Sequence, residues 1–159
     1  MIISASWSGY QARSRTFLPA FLDMAWGLAN RGKLVILVGK VPIIHGYDRR
    51  CREKALRFPF LEWGNPTDVM SEDVAWANAE LRSTAAGTAN VEYFEVTRYL
   101  CPKGICAALD ATGTPRYYND SHLPMPASWR LGQEILAVDR APWPFPLVAS
   151  WPGVKQRVR

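Results

Sequence analysis

Residues 115–132 read PRYYNDSHLPMPASWRLG and hold Asn119, Asp120 and His122 within four positions. In an extended turn, residues two apart point to the same side, so Asp120 stands where it can orient the His122 imidazole. A carboxylate on one ring nitrogen fixes the tautomer and leaves the other nitrogen free as a general base. Leu123 and Pro124 pin the backbone just after the histidine. The same residues also suit a polar loop that starts a helix, and a short Asp-x-His match does not separate the two readings. If His122 is a base, a nucleophile must accompany it.

The remaining candidates narrow the chemistry. The other histidine, His45, follows an apolar VPII run with only Asp48 nearby in sequence, which fits a surface or packing residue. Three cysteines are present. Cys101 and Cys106 bound CPKGIC, where Pro102 and Gly104 favour a tight turn that brings the sulfurs together. No second Cys/His pair stands at similar spacing, so the sequence predicts no metal site but a loop disulfide, a feature of oxidising compartments. Cys51 is left as a structural thiol amid Arg49, Arg50, Arg52, Lys54 and Arg57.

The chain has 159 residues, 48% of them hydrophobic, with a net charge of +5. That is one domain, long enough to bury a core. The basic residues cluster in RRCREKALR and in the terminal KQRVR. No groove-binding or base-stacking motif accompanies them, so the expectation is a solvated helix face and no nucleic-acid partner. No apolar run is long enough to span a bilayer, and MIISASW is too short and too polar for a signal peptide. Taken by itself, the chain is expected to stay in the cytoplasm.

These residues need a scaffold, and the pattern supplies one. Residues 1–6 read as a buried strand. Residues 14–31 form a helix with Phe17, Phe21, Ala25 and Leu28 at helical spacing, stopped by Gly32. KLVILVG is a continuous apolar run, as in a strand covered on both faces. Strand, helix, strand with short joints predicts a βαβ unit and a parallel sheet. A short helix near 49–57 follows. Ser71 is placed as the N-cap of a helix to about Ala86 that offers Val74, Ala77 and Leu81 to the core. VEYFEVT is a third strand and the RYY of residues 116–118 a short fourth. A last helix over 125–138 carries Trp129, Leu131, Ile135 and Leu136. The fold class is therefore α/β, a three-layer α/β/α sandwich around a parallel sheet. Residues 1–138 form the domain, and 139–159 form a Pro/Trp-rich basic tail with no assigned elements.

The segments ISASWSGY, GKLVILVGKVPIIHGYDRRC and YLCPKGICAALDATGTPRYYNDSHLPMPASWRLG, in that order, resemble the C-terminal SGNH domain of the membrane acyltransferases of family three. The resemblance covers roughly residues 1–138. It implies a flavodoxin-like SGNH fold on the periplasmic face of the inner membrane. There a membrane portion hands over acyl groups, and the SGNH domain completes O-acylation of cell-surface carbohydrate. It implies no cofactor; the partners are an acyl donor and a glycan. His122 matches the family's catalytic histidine. The family's partner carboxylate usually lies three residues earlier, where Asn119 stands here, and Asp120 is one place closer. Cys101, Cys106 and Cys51 match family positions.

The Gly-Asp-Ser segment that carries the nucleophile in SGNH enzymes does not occur in the sequence, and neither does a Gly-x-Ser-x-Gly elbow. Ser8 is the nearest candidate by location, but its segment matches a later family block. The expectation is a chain lacking the membrane part and the first strand, which holds the acid–base half of an O-acyltransferase or esterase site. The alternative is a non-catalytic remnant or carbohydrate-binding module using Trp7, Tyr10 or Trp63.

Overall fold

A computed structural model describes residues 1–58, 60 and 67–152, the side chains of Ser8, Cys51, Arg52 and Ala55 excepted. Three parallel strands form the main sheet in the order β1 (Ile2–Ile3), β2 (Val35–Val38), β4 (Val91–Phe94). Between β1 and β2 run α1 (Trp7–Arg13) and α2 (Phe17–Asn30). Between β2 and β4 lie α3 (Cys51–Arg57), β3 (Thr67–Val69) and α4 (Glu72–Gly87). After β4 come α5 (Thr97–Leu100), a 3-10 turn at Pro102–Gly104, β5 (Ile105–Ala107), α6 (Met125–Val138) and α7 (Pro146–Ser150).

Strand β2 explains the layers. Its Val35, Ile36 and Leu37 are fully buried, as a strand paired on both edges and covered on both faces requires. Val35 and Leu37 join Val91 in one core, closed by Trp7, Leu18, Ala25 and Ala29 of α1 and α2 and by Ala77 and Leu81 of α4. Leu34 and Ile36 face the other way and meet Phe94, Leu100, and Leu131 and Ile135 of α6. The alternation of a pleated strand thus builds a three-layer α/β/α sandwich.

The helix ends follow from local chemistry. Gly32 takes a positive φ of 73° after α2. Its N–H donates to the Ala29 carbonyl at 2.9 Å, and the Lys33 N–H donates to the Leu28 carbonyl at 3.2 Å. This paired closure satisfies the last carbonyls of the helix and needs a residue tolerant of the left-handed region. Ser71 does sit at the N-cap of α4 with extended backbone, but its hydroxyl is buried and makes no capping hydrogen bond. Helix α6 spans the residues that its periodicity predicts.

Several expectations are corrected. The strand expected over residues 1–6 is only Ile2–Ile3, and the chain turns at once into α1, whose single fully buried Trp7 left too little periodicity to read. Residues 116–118 form no strand; Tyr117 instead plugs a third small core with Ile44, Tyr47, Cys106 and Ala108. The second, antiparallel pair of β3 and β5 was not expected, because each strand is three residues long. Beyond residue 138, Phe145, Leu147 and Trp151 pack on the α6 side of the sheet.

Cys101 and Cys106 form the disulfide, with Cα atoms 4.0 Å apart. Cys101 packs against both the α6 core and the small third core, so the bridge joins two cores across a five-residue separation. A loop this short removes little chain entropy from the unfolded state. Reduction is expected to lower the urea-unfolding free energy by less than the about 3 kcal/mol typical of a 15-residue loop. Paired urea titrations with and without reductant measure it, and peptide mapping is expected to leave Cys51 unlinked.

The central strand has a larger claim on stability. Leu37→Ala opens a cavity at a fully buried position and is expected to cost about 2–5 kcal/mol in the same titration.

Candidate functional site

The exit of β2 sets the site. Gly39 follows the strand directly beneath the Tyr93 side chain, where an added Cβ would lie 2.5 Å from the tyrosine oxygen. Only a residue without a side chain leaves room there. Next, the Lys40 N–H donates to Asn78 Oδ1 at 2.7 Å, and Asn78 Nδ2 donates back to the Lys40 carbonyl at 3.2 Å. Asn78 lies on the core face of α4 and is buried. Its amide thus replaces the partners that the backbone loses when it leaves the sheet.

Beyond this clamp the loop of residues 41–47 runs beside the segment 117–123. The Ile44 N–H donates to the Asp120 carbonyl at 2.8 Å, and Ile44 and Tyr117 are buried in the same small core. The Tyr118 N–H donates to the His122 carbonyl at 2.7 Å and closes the turn. Leu123 leaves it into the cores on either side, and Pro124 then caps α6 with extended backbone. Arg49 stacks over the Tyr118 ring at 4.1 Å. The turn is polar and exposed, but both of its ends are anchored.

Inside it, one amide oxygen organises the histidine. Asn119 Oδ1 accepts from the Ser121 N–H at 3.1 Å and from the His122 N–H at 2.9 Å. It also lies 2.9 Å from His122 Nδ1, and the Ser121 hydroxyl lies 3.2 Å from the same nitrogen. An amide oxygen only accepts, so this contact requires the proton on Nδ1 and leaves Nε2 as the basic nitrogen. Asp120 makes no hydrogen bond to the ring; its carboxylate acts on Lys40, whose charged form it favours. Of the two residues, it is Asn119 that contacts the His122 ring.

His122 lines a cleft of about 300 Å³ together with Ser4, Ser6, Lys40, Ser121 and Ser128. Ser4 and Ser6 follow β1 and Lys40 follows β2, so the cleft opens at the carboxyl ends of parallel strands, where doubly wound sheets bind ligands. Lys40 is 7% exposed, and its Nζ donates to the Ser121 carbonyl at 3.4 Å. Burial pushes its pKa down, and the nearby Asp120 carboxylate opposes that shift. Lys40, Asn78 and the two serines were not singled out from the sequence. A lysine two residues beyond a fully apolar strand and an asparagine on the core face of a helix were the available signals.

The other sequence candidates fall elsewhere. His45 does have a carboxylate partner, Asp68 on β3, with Nδ1 2.7 Å from Oδ2. The His45 backbone N–H reaches the same oxygen at 2.9 Å, and these contacts hold the Asp68 pKa below its ordinary value. Asp48 instead pairs with Lys54 and accepts from the Arg50 N–H. Trp7 is fully buried, with its Nε1 donating to the Val38 carbonyl at 3.0 Å, so it offers no surface to a sugar. Tyr10 is half-exposed, Trp63 lies outside the described residues, and so does the Ser8 side chain. Among the described residues, no group of three or more His, Cys, Asp or Glu side chains is placed to hold a metal ion, and no helix is long and apolar enough to cross a membrane.

No curated protein and no solved structure matches this chain. The family model for the SGNH domain fused to AT3 domains matches residues 1–137. That match spans the sheet, the disulfide and the His122 turn, and with the parallel α/β/α sandwich it shows that the chain belongs to the SGNH domains of AT3 membrane acyltransferases.

Proposed function

We propose that this domain provides the acid–base half of a site for O-acyl transfer, or ester hydrolysis, on cell-surface carbohydrate. The observation that carries the reading is the His122 ring, held at Nδ1 by Asn119 and lining a cleft at the carboxyl ends of β1 and β2. In such a site, Nε2 takes the proton of a serine hydroxyl as its oxygen attacks the acyl carbonyl. It then returns the proton to the departing oxygen. Asn119 keeps the tautomer and the aim, a role an amide also fills in Cys-His-Asn sites. The nucleophile is proposed to come from a Gly-Asp-Ser segment outside these residues, on a strand of the longer membrane protein, with the domain on its periplasmic side. A family fused to AT3 domains supports that setting.

A second reading is favoured by one observation. Ser4 and Ser6 line the same cleft as His122 and follow the end of β1, a place where strand-to-helix turns expose nucleophiles.

Hydrolysis of p-nitrophenyl acetate separates the two readings. The 159-residue chain is expected to match its His122→Ala variant, because an oriented histidine without a nucleophile is only a weak base. A rate clearly above that variant, abolished by Ser4→Ala or Ser6→Ala, would contradict the first reading and establish the second.

In a protein with a Gly-Asp-Ser strand ahead of Met1, Asn119→Ala is expected to lower kcat by about 10²-fold or more, the scale of general-base catalysis. Asp120→Asn should cost much less per folded molecule, with folding checked by circular dichroism. The reverse order would make Asp120 the partner of His122.

A further inference from the structure

We infer that Lys40 marks a subsite for a carboxylate in the His122 cleft, so that the sugar bound there is an acidic one. The argument begins with the count of hydrogen-bond donors. An ammonium carries three N–H groups. Among the described residues, Lys40 Nζ has one acceptor, the Ser121 carbonyl at 3.4 Å, although the residue is 7% exposed. Buried cations are normally paired and hydrogen-bonded throughout, because the loss of hydration is otherwise uncompensated. Asp120 lies on the exposed turn and acts on Lys40 by charge without a hydrogen bond. Two N–H groups of a sheltered cation therefore have no protein acceptor among the described residues, on a residue that lines the cleft.

The other polar groups in the cleft set the character of the occupant. Ser4, Ser6, Ser121 and Ser128 supply hydroxyls, His122 supplies the imidazole, and among the described residues no carboxylate lines the wall. Hydroxyls both give and accept hydrogen bonds and suit sugar hydroxyls. The Lys40 ammonium, which Asp120 balances by charge but not through a hydrogen bond, bonds most strongly to an anionic oxygen, because charge-assisted bonds are the stronger kind. The backbone of Lys40 is held at both its N–H and its carbonyl by Asn78, so the cation is presented from a fixed strand end. A neutral hexose offers the ammonium only hydroxyl and ring oxygens, whereas a hexuronic acid also offers it the stronger charge-assisted bond of a carboxylate.

The proposal rests on the carbohydrate reading of the cleft, and the experiment separates the two. The ¹⁵N-labelled 159-residue chain is titrated with glucuronate, glucose and acetate at matched ionic strength, following the amides of residues 40, 41 and 121–123. Glucuronate is expected to shift them saturably, with glucose weaker by about tenfold. Lys40→Met is expected to bring glucuronate down to the level of glucose. Asp120→Asn, which removes the competing carboxylate and leaves Lys40 intact, is expected to tighten glucuronate. Equal binding of glucose and glucuronate overturns the Lys40 subsite and leaves the carbohydrate reading standing. Acetate binding as well as glucuronate, with glucose silent, keeps the subsite and removes the carbohydrate reading. If Lys40→Met does not fold, Asp120→Asn decides, and an unchanged or weakened affinity for glucuronate overturns the proposal.

Discussion

Strand β2 has neither an edge nor a face left open. It pairs with β1 on one side and β4 on the other, and its alternate side chains feed two separate cores. A strand so enclosed cannot slip by one residue without moving every buried side chain to the wrong layer. Its exit is therefore fixed, and the fixed exit places everything polar that follows. Gly39 admits the Tyr93 ring, Asn78 grips both backbone groups of Lys40, and the loop that continues carries Ile44 against the histidine turn. The cleft is the space left where this enclosed strand ends and the exposed turn begins.

The turn itself solves a positioning problem with few atoms. Asn119 Oδ1 serves two backbone N–H groups and the imidazole at once, so the rotamer of the ring and the shape of the loop are set together. Rigidity comes from outside the turn: Tyr117 and Leu123 are held in packed cores, and the Cys101–Cys106 bridge ties those cores to each other. An amide oxygen can hold an imidazole by its Nδ1 proton, as in Cys-His-Asn sites, but it stabilises the imidazolium less than a carboxylate does. The charges near this ring, Lys40 and Asp120, are of opposite sign and favour each other. Orientation rather than charge is what Asn119 contributes.

How much of this was legible depended on the range of each signal. Helix α6 and strand β2 were readable because a long periodic pattern and an unbroken apolar run are local properties of the chain. The paired closure at Gly32 was readable for the same reason. Helix α1 and the β3–β5 pair were not, since seven residues with one buried tryptophan and strands of three residues carry too little pattern. His122 was singled out by residue type. Its partner was assigned by two-residue alternation, which assumes extended backbone. The turn instead folds back on itself, with the Tyr118 N–H donating to the His122 carbonyl, and it brings Asn119 under the ring. The pairs His45–Asp68 and Lys40–Asn78 join residues 23 and 38 positions apart and exist only once the sheet has assembled.

The claim on which the functional account turns is that Asn119 holds the proton of His122 on Nδ1 and leaves Nε2 bare. A long-range ¹H–¹⁵N correlation spectrum of the imidazole, taken above the histidine titration range, reads that tautomer directly. The account predicts an Nδ1-protonated ring for His122 in the native chain and, in Asn119→Ala, a return toward the tautomer mixture of a free imidazole. A native His122 protonated on Nε2, or a spectrum that Asn119→Ala leaves unchanged, would contradict it.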